Sequence, residues 1–205
     1  MESAEQEISD QRLLKGARAR AAIARHAADV ASAEGLTGLS LGRLAGDLGV
    51  SKSGVATLFG TKENLQLAAV QSAREVFIEH VVTPAFTEAR GMPRLRAFID
   101  HWFDYIGEPV FPGGCFRVAG VVEFDSRPGP VRDALAADRA DWFAVLEKEI
   151  GRAQEQGFLT GQDPHTLAFQ LDAIVGAANT AVRMGDPGAI ATARGIVYAL
   201  IGAKA

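Results

Sequence analysis

The segment from residue 41 to residue 59, LGRLAGDLGVSKSGVATLF, constrains the fold of this chain more than any other. It has the features of two short helices joined by a tight turn. Ala45 is small enough for the helices to cross closely, and Gly49 tolerates the positive φ that the turn needs. Ser40 and Ser51 are typical helix N-caps. Apolar residues expected to face inward occur in the same register: Leu44, Leu48, Val50, Val55 and Leu58. An ordinary helical hairpin would not need all of these features together, so the segment predicts a DNA-binding helix-turn-helix.

Helical periodicity continues through nearly all of the remaining sequence. The first helix is expected from about Lys15 to Glu34, because apolar residues recur there at helical spacing and Gly35 is a suitable stop. Beyond the two short helices, further helices are expected at about residues 61–84, 95–107, 115–124, 131–156, 164–184 and 187–201. Strand alternation and internal repeats are not evident. The chain is therefore predicted to be all-α with about nine helices, divided into a three-helix domain over residues 12–62 and a larger helical ligand-binding and dimerisation body over residues 63–205.

The net charge of −4 is distributed unevenly along the chain. Residues 12–62 carry eight Lys and Arg against three Asp and Glu, whereas residues 63–205 carry thirteen against eighteen. A basic segment ahead of an acidic body is expected where only that segment meets a polyanion. A solvated helix face would explain the charges of the first helix about as well.

Composition also limits the class of protein. The single cysteine, Cys115, excludes an internal disulfide framework and fits a reducing cytosol. The N-terminus is acidic and has no apolar core of the kind found in signal peptides, and no apolar stretch reaches membrane-spanning length. We therefore expect a cytoplasmic protein without a membrane partner.

Residues from about 20 to 70 resemble the DNA-binding domain of the TetR family of transcriptional regulators. The matching residues are Gly35, Thr37, Leu39, Ser40, Leu44, Ala45, Leu48, Gly49, Val50, Ser51, Phe59, Lys62, Glu63 and Leu65. Phe59 is followed at the family's spacing by Lys62, Glu63 and Leu65. The chain departs from the family at Ala56, usually a tyrosine, and at Leu58, commonly a histidine or tyrosine.

The resemblance implies that the second short helix enters the major groove and that Lys62 contacts a DNA phosphate. Together with the exposed positions of that helix, it predicts these DNA-binding residues: Thr37, Ser40, Arg43, Ser51, Lys52, Ser53, Gly54, Thr57 and Lys62. The protein is expected to be a homodimer held by its last two helices, with its two heads on a double-stranded, roughly palindromic operator.

Residues from about 74 to 186 resemble a branch of the same family that carries a Phe-Pro-Gly-Gly-Cys-Phe segment, here residues 111–116. This resemblance implies no particular ligand. Aromatic residues nevertheless concentrate in the middle of the body, as in the wall of an apolar pocket, although plain core packing explains them too. A small hydrophobic effector is predicted to bind these residues: Phe98, Trp102, Phe103, Cys115, Phe116, Arg117, Glu123, Phe124, Trp142 and Phe143.

Other functions remain open at this stage. Cys115 near a helix start could be a thiol sensor, because amide dipoles lower a thiol pKa, or simply a buried apolar residue. A non-DNA-binding helical enzyme or adaptor is a further alternative, although no base is evident that would activate Cys115. Asp100, His101 and Asp104 are close in sequence, but a solvated helix edge explains them without a metal. We expect no catalytic residue, no metal and no cofactor.

Overall fold

The computed structural model describes residues 2–108 and 110–202, and in the first helix it describes side chains from residue 13 onward. The side chain of Arg12, counted above in the basic segment, lies outside this description. The helices are α1 (Glu2–Glu34), α2 (Leu41–Asp47), α3 (Lys52–Phe59), α4 (Lys62–Phe77), α5 (Thr83–Ala85), α6 (Met92–Gly107), α7 (Phe116–Phe124), α8 (Pro130–Glu155), α9 (Pro164–Arg183) and α10 (Ala189–Leu200). All but the three-residue α5 are seven residues or longer. The predicted all-α architecture of about nine helices is confirmed, and the described ranges contain no strand.

Short polar side chains begin several of these helices. The Ser40 and Ser51 hydroxyl oxygens accept hydrogen bonds from backbone N–H groups at 3.1 and 3.0 Å. Thr61 caps α4 in the same way at 3.1 Å, and the Asp163 carboxylate caps α9 at 2.8 Å. Each cap satisfies one of the N–H groups that a helix start leaves without a partner, and the predicted caps Ser40 and Ser51 are confirmed.

The first helix was predicted to begin at Lys15, and this is wrong, because α1 begins at Glu2. The sequence contains no proline between these positions, and acidic residues near a helix N-terminus are favoured by the helix dipole. The residues after α1 form a 3-10 turn, Leu36–Gly38.

The helix-turn-helix forms as predicted at Ala45, which is buried, and at Gly49, whose φ is +63°. Leu44 and Val55 are buried, and Leu58 packs against the core. The inward positions predicted for Leu48 and Val50 are wrong, because their side chains are 38% and 46% exposed. Both lie in the surface turn between α2 and α3, beyond the helical stretches whose inward faces pack.

An aromatic cluster forms the centre of the body. The ring of Phe77, at the end of α4, meets the rings of Trp102, Tyr105 and Trp142 edge-on, at centroid distances of 6.0, 5.5 and 5.0 Å. Edge-to-face contacts of this kind add to the stabilisation that burial of apolar area provides. The cluster joins α4, α6 and α8. Helix α4 also packs against α1, so α4 connects the first helix to the aromatic cluster.

Candidate DNA-binding surface and ligand cavities

Helix α3 presents a polar face to solvent. Val55 and Phe59 are buried and fix the orientation of α3 against α1, α2 and α4. The opposite face is exposed and carries Lys52, Ser53 and Thr57. The side chains on this face are short or flexible, and they are uncharged apart from the lysine. Such a face can approach a base edge or a phosphate closely.

All nine residues that the sequence predicted as DNA contacts are exposed, and the side chains or amides of three of them bond to residues outside their own helix or turn. Arg43 donates two hydrogen bonds to the carboxylate of Glu34, which lowers the pKa of the Glu34 carboxyl. Lys62 donates to the backbone carbonyl of Thr37. The amide and hydroxyl of Thr37 donate to the carboxylate of Glu123 at 2.8 and 2.5 Å. The roles of all nine in DNA binding stay predictions.

Two neighbouring cavities lie in the body. The larger, about 670 Å³, is bounded by α7, α8 and α9. Its walls are mainly apolar, and charged side chains stand among them; they include Phe124, Phe143, Phe169, Arg132, Glu147 and His165. The smaller, about 290 Å³, reaches Trp102 on α6. Val121, Leu135 and Arg139 belong to both cavities and form the wall between them.

The smaller cavity is lined by two ion pairs. The Nε of Arg117 lies 3.0 Å from a carboxylate oxygen of Asp138, and a guanidinium nitrogen of Arg139 lies 2.8 Å from one of Asp172. The indole Nε1 of Trp102 is buried and has no hydrogen-bond partner in the described part of the chain. A buried donor without a partner is costly, and this nitrogen lies within the packing rather than open to the cavity.

Cys115 lines the smaller cavity but is almost fully buried. Its backbone N–H donates to Asn179 at 2.8 Å, at the start of α7. Of the two interpretations of Cys115, the structure favours the buried apolar residue: burial raises the pKa of the Cys115 thiol, and this outweighs the hydrogen bonds from nearby amides that lower it. The thiol is therefore protonated at neutral pH, the less reactive state.

The structure places the ten predicted ligand residues in four different surroundings. Trp102, Cys115 and Arg117 line the smaller cavity, and Phe124 and Phe143 line the larger one. The residues that lie in the packed core instead are Phe98, Phe103, Phe116 and Trp142. Glu123 was expected at the pocket; its carboxylate instead contacts the Leu36–Gly38 turn of the head.

Sequence reasoning missed the walls that α8 and α9 contribute. Asp138, Arg139 and Asp172 meet at the smaller cavity although they lie on two helices. No pattern within either helix indicates that these charged residues line a cavity. The one sequence signal for the wall on α9 was the large apolar residue Phe169, which the structure leaves exposed at the larger cavity.

The acidic residues considered for a metal have other partners. Arg194 donates to Asp104 at 2.9 Å and also to Asp100. Within residues 2–108 and 110–202, no group of three His, Cys, Asp or Glu is placed to hold a metal ion. None of the helices in these ranges is both long and apolar enough to cross a membrane.

Comparison with known proteins adds the following findings. A profile of the tetracyclin repressor-like C-terminal domain matches residues 91–197. No curated protein sequence matches the chain. A TetR transcriptional regulator from Chloroflexus aurantiacus superposes with a TM-score of 0.84 at 22% identity, over 92% of this chain and 96% of that chain.

Two similar structures contain small molecules. AibR in complex with isovaleryl coenzyme A and operator DNA has a TM-score of 0.70 at 23% identity, over 90% of this chain and all of that one (100%). A regulator from Saccharomonospora viridis in complex with choline has a TM-score of 0.73 at 21% identity, over 91% of this chain and 96% of that chain. At these identities the likeness establishes a common fold.

Proposed function

This chain belongs to the TetR family of transcriptional regulators, and we propose that it is a cytoplasmic, homodimeric repressor that leaves its palindromic operator when a small effector with an apolar body binds. The observation that carries the proposal is the exposed polar face of α3, which buried Val55 and Phe59 hold outward from the head. The head comprises residues 12–62 and the body residues 63–205. The proposal assigns no catalytic residue.

The effector is proposed to bind in the two neighbouring cavities. The larger cavity lies within the volume range of small-molecule sites and has mainly apolar walls. It therefore suits an acyl or aromatic body better than a sugar. The smaller cavity adds the side chain of Trp102 and two ion pairs to the proposed site. The alternative of a thiol sensor at Cys115 is disfavoured by the burial and raised pKa of that thiol.

Selection of bound sequences from random double-stranded DNA tests the proposed function directly. We expect enrichment of a palindrome whose half-sites are about one helical turn apart, because two symmetric heads read successive major grooves. Affinity for that operator is then measured against salt and with acyl and aromatic compounds. Failure to enrich any sequence would contradict DNA recognition, and a salt-independent interaction would favour an adaptor function.

Lys62→Ala should weaken binding to all DNA sequences about equally and flatten the salt slope by about one unit, because a phosphate contact carries no base information. Lys62 is exposed and begins α4, where backbone N–H groups also favour a phosphate. Lys148→Ala, on an exposed position of the body, is the matched control and should leave the slope unchanged. An unchanged slope with intact affinity in Lys62→Ala would remove this residue from the phosphate contacts.

The last two long helices are proposed to form the dimer interface. Large apolar side chains are exposed on these helices or directly after α9: Phe169 at 55%, Met184 at 83% and Ile196 at 52%. Small residues on these helices would allow close approach, but Ala178 is buried inside the protomer and cannot take part. Ala177 and Gly185 are exposed.

Sedimentation should show a dimer at micromolar concentration, and Ile196→Glu should shift the protein to monomers, because a carboxylate buried at an apolar interface has no partner. Phe158→Glu is the control, since Phe158 is similarly exposed (48%) but lies in the turn after α8. A wild-type monomer that binds a half-site tightly would contradict the symmetric dimer.

A further inference from the structure

Glu123 joins the body to the head through a compact set of hydrogen bonds. One carboxylate oxygen accepts from the backbone N–H of Leu36 at 2.7 Å. The other accepts from the N–H of Thr37 at 2.8 Å and from its hydroxyl at 2.5 Å. These N–H groups belong to the first two residues of the Leu36–Gly38 turn, which have no partners within the turn itself. Glu123 therefore acts as the cap of this turn, although it is 86 residues away from Thr37 in sequence.

The local backbone leaves room for this carboxylate. Gly35 has a φ of +82°, and a Cβ atom there would lie 2.9 Å from both carboxylate oxygens. Any larger residue at position 35 would meet the carboxylate and would also strain the backbone. The glycine that ends α1 is thus also the glycine that admits Glu123.

The turn that Glu123 holds is attached to the DNA-binding head on its other side. The carbonyl of Leu36 accepts from the buried side chain of Gln66 at 2.8 Å, and the carbonyl of Thr37 accepts from Lys62. Ser40, the N-cap of α2, lies two residues after this turn. A displacement of the turn would therefore move the start of the helix-turn-helix and the start of α4 together.

The opposite face of α7 forms cavity wall. Val121 lines both cavities, and Val118 lines the smaller one. Val121 and Glu123 are two positions apart, so their side chains leave the helix about 200° apart, in nearly opposite directions. A ligand in the cavities would contact one face of α7. The Leu36–Gly38 turn is hydrogen-bonded to the other face through Glu123.

We propose that Glu123 is the coupling residue through which occupancy of the cavities repositions the DNA-binding head. This inference rests on the proposed function and specifies the regulation of the same site. Coupling between two sites requires an element that contacts both, and α7 contacts both within nine residues.

The test is a double-mutant cycle that needs no identified effector. Val121→Phe adds a ring to the wall shared by both cavities and stands in for an occupant. Operator affinity is measured for the full-length wild type, Val121→Phe, Glu123→Gln and the double variant, with thermal unfolding to confirm that each is folded. We expect Val121→Phe to change operator affinity by about fivefold or more when Glu123 is present, and by less than about twofold in the Glu123→Gln background.

Hydrogen exchange gives a second readout that does not depend on DNA. Glu123→Gln should speed exchange of the Leu36 and Thr37 amides by about tenfold or more, because a charged acceptor is replaced by a weaker one. Val121→Phe should also change exchange at these amides, but not in the Glu123→Gln background. Asp133→Asn is the control: it removes the same charge from an exposed position on α8 and should change neither amide.

The outcomes separate the inference from the proposed function. Equal fold-changes for Val121→Phe in both backgrounds, or no effect of it on either readout, would overturn the coupling role of Glu123 while operator binding stands. Absence of an operator would instead contradict the proposed function, and the exchange data would still decide whether α7 moves the turn. Unchanged exchange in Glu123→Gln would overturn the inference.

Discussion

Gly113→Ala is expected to lower the free energy of unfolding by about 3 kcal/mol, which corresponds to a fall in Tm of about 6–12 °C for a chain of this size. Gly113 lies in the turn before α7, and its N–H donates to the hydroxyl of Ser32 on α1 at 2.9 Å. A Cβ atom at position 113 would lie 1.7 Å from the carbonyl oxygen of Ser32 and 2.0 Å from its carbonyl carbon. The obstacle is backbone, which cannot rotate away, so the turn must separate from α1 and lose this hydrogen bond.

Gly151→Ala provides the control for this prediction. Gly151 lies inside α8, and a Cβ atom there would meet no atom within 4 Å. Alanine should stabilise the protein at this position by about 0.5–1 kcal/mol, because it loses less backbone entropy in a helix than glycine does. Thermal and urea unfolding of the two variants should therefore give shifts of opposite sign. A shift in Gly113→Ala as small as in Gly151→Ala would mean that the contact between the turn and α1 is loose.

Much of the fold could be predicted from the sequence because its signals are local. The N-caps Ser40, Ser51 and Thr61 depend on hydrogen bonds three residues away, and apolar periodicity marks the helices that follow. Leu48 and Val50 were assigned wrongly for a related reason: the pattern of apolar residues does not say where a short helix ends and its surface turn begins.

The candidate site was harder to predict because its contacts are distant in sequence. Residues 111–116 were recognised only by their resemblance to a branch of the family, whereas the need for glycine at 113 comes from the backbone of Ser32 on α1. Glu123 was assigned to the pocket as a polar residue near a short apolar helix, but its partners are the amides of a turn 86 and 87 residues earlier. The charged residues Asp138 and Asp172 line a cavity only because α7, α8 and α9 meet there.

Asp138→Ala is expected to lower the free energy of unfolding by about 3 kcal/mol, because it removes one partner of a buried ion pair. The side chains of Asp138 and Arg117 are each only 11% exposed, and Asp138 also accepts from Arg74 at 2.8 Å. Without the carboxylate, the guanidinium of Arg117 stays in its buried position over the ring of Phe77, 4.5 Å from the centroid. That cation–π contact offsets only part of the lost pairing.

The structure provides a matched control on the same helix. Asp141 also pairs with Arg74, again at 2.8 Å, but its side chain is 63% exposed. Asp141→Ala should therefore cost less than about 1 kcal/mol, since water screens the pair and solvates the arginine that remains. Urea unfolding of the two variants compares two aspartates that both lie 2.8 Å from Arg74 but differ in burial, and only Asp138 also pairs with the buried Arg117. Equal losses would show that burial does not set the strength of these pairs.

A double replacement separates the pairing of Asp138 from the shape of its site. Arg117→Met combined with Asp138→Leu removes both charges and keeps apolar volume, and Arg74 retains Asp141. We expect this variant to regain most of the stability that Asp138→Ala loses, because replacing both partners leaves no buried charge without compensation. If the double variant is as unstable as Asp138→Ala, the loss comes from altered packing around α8 rather than from the unpaired guanidinium.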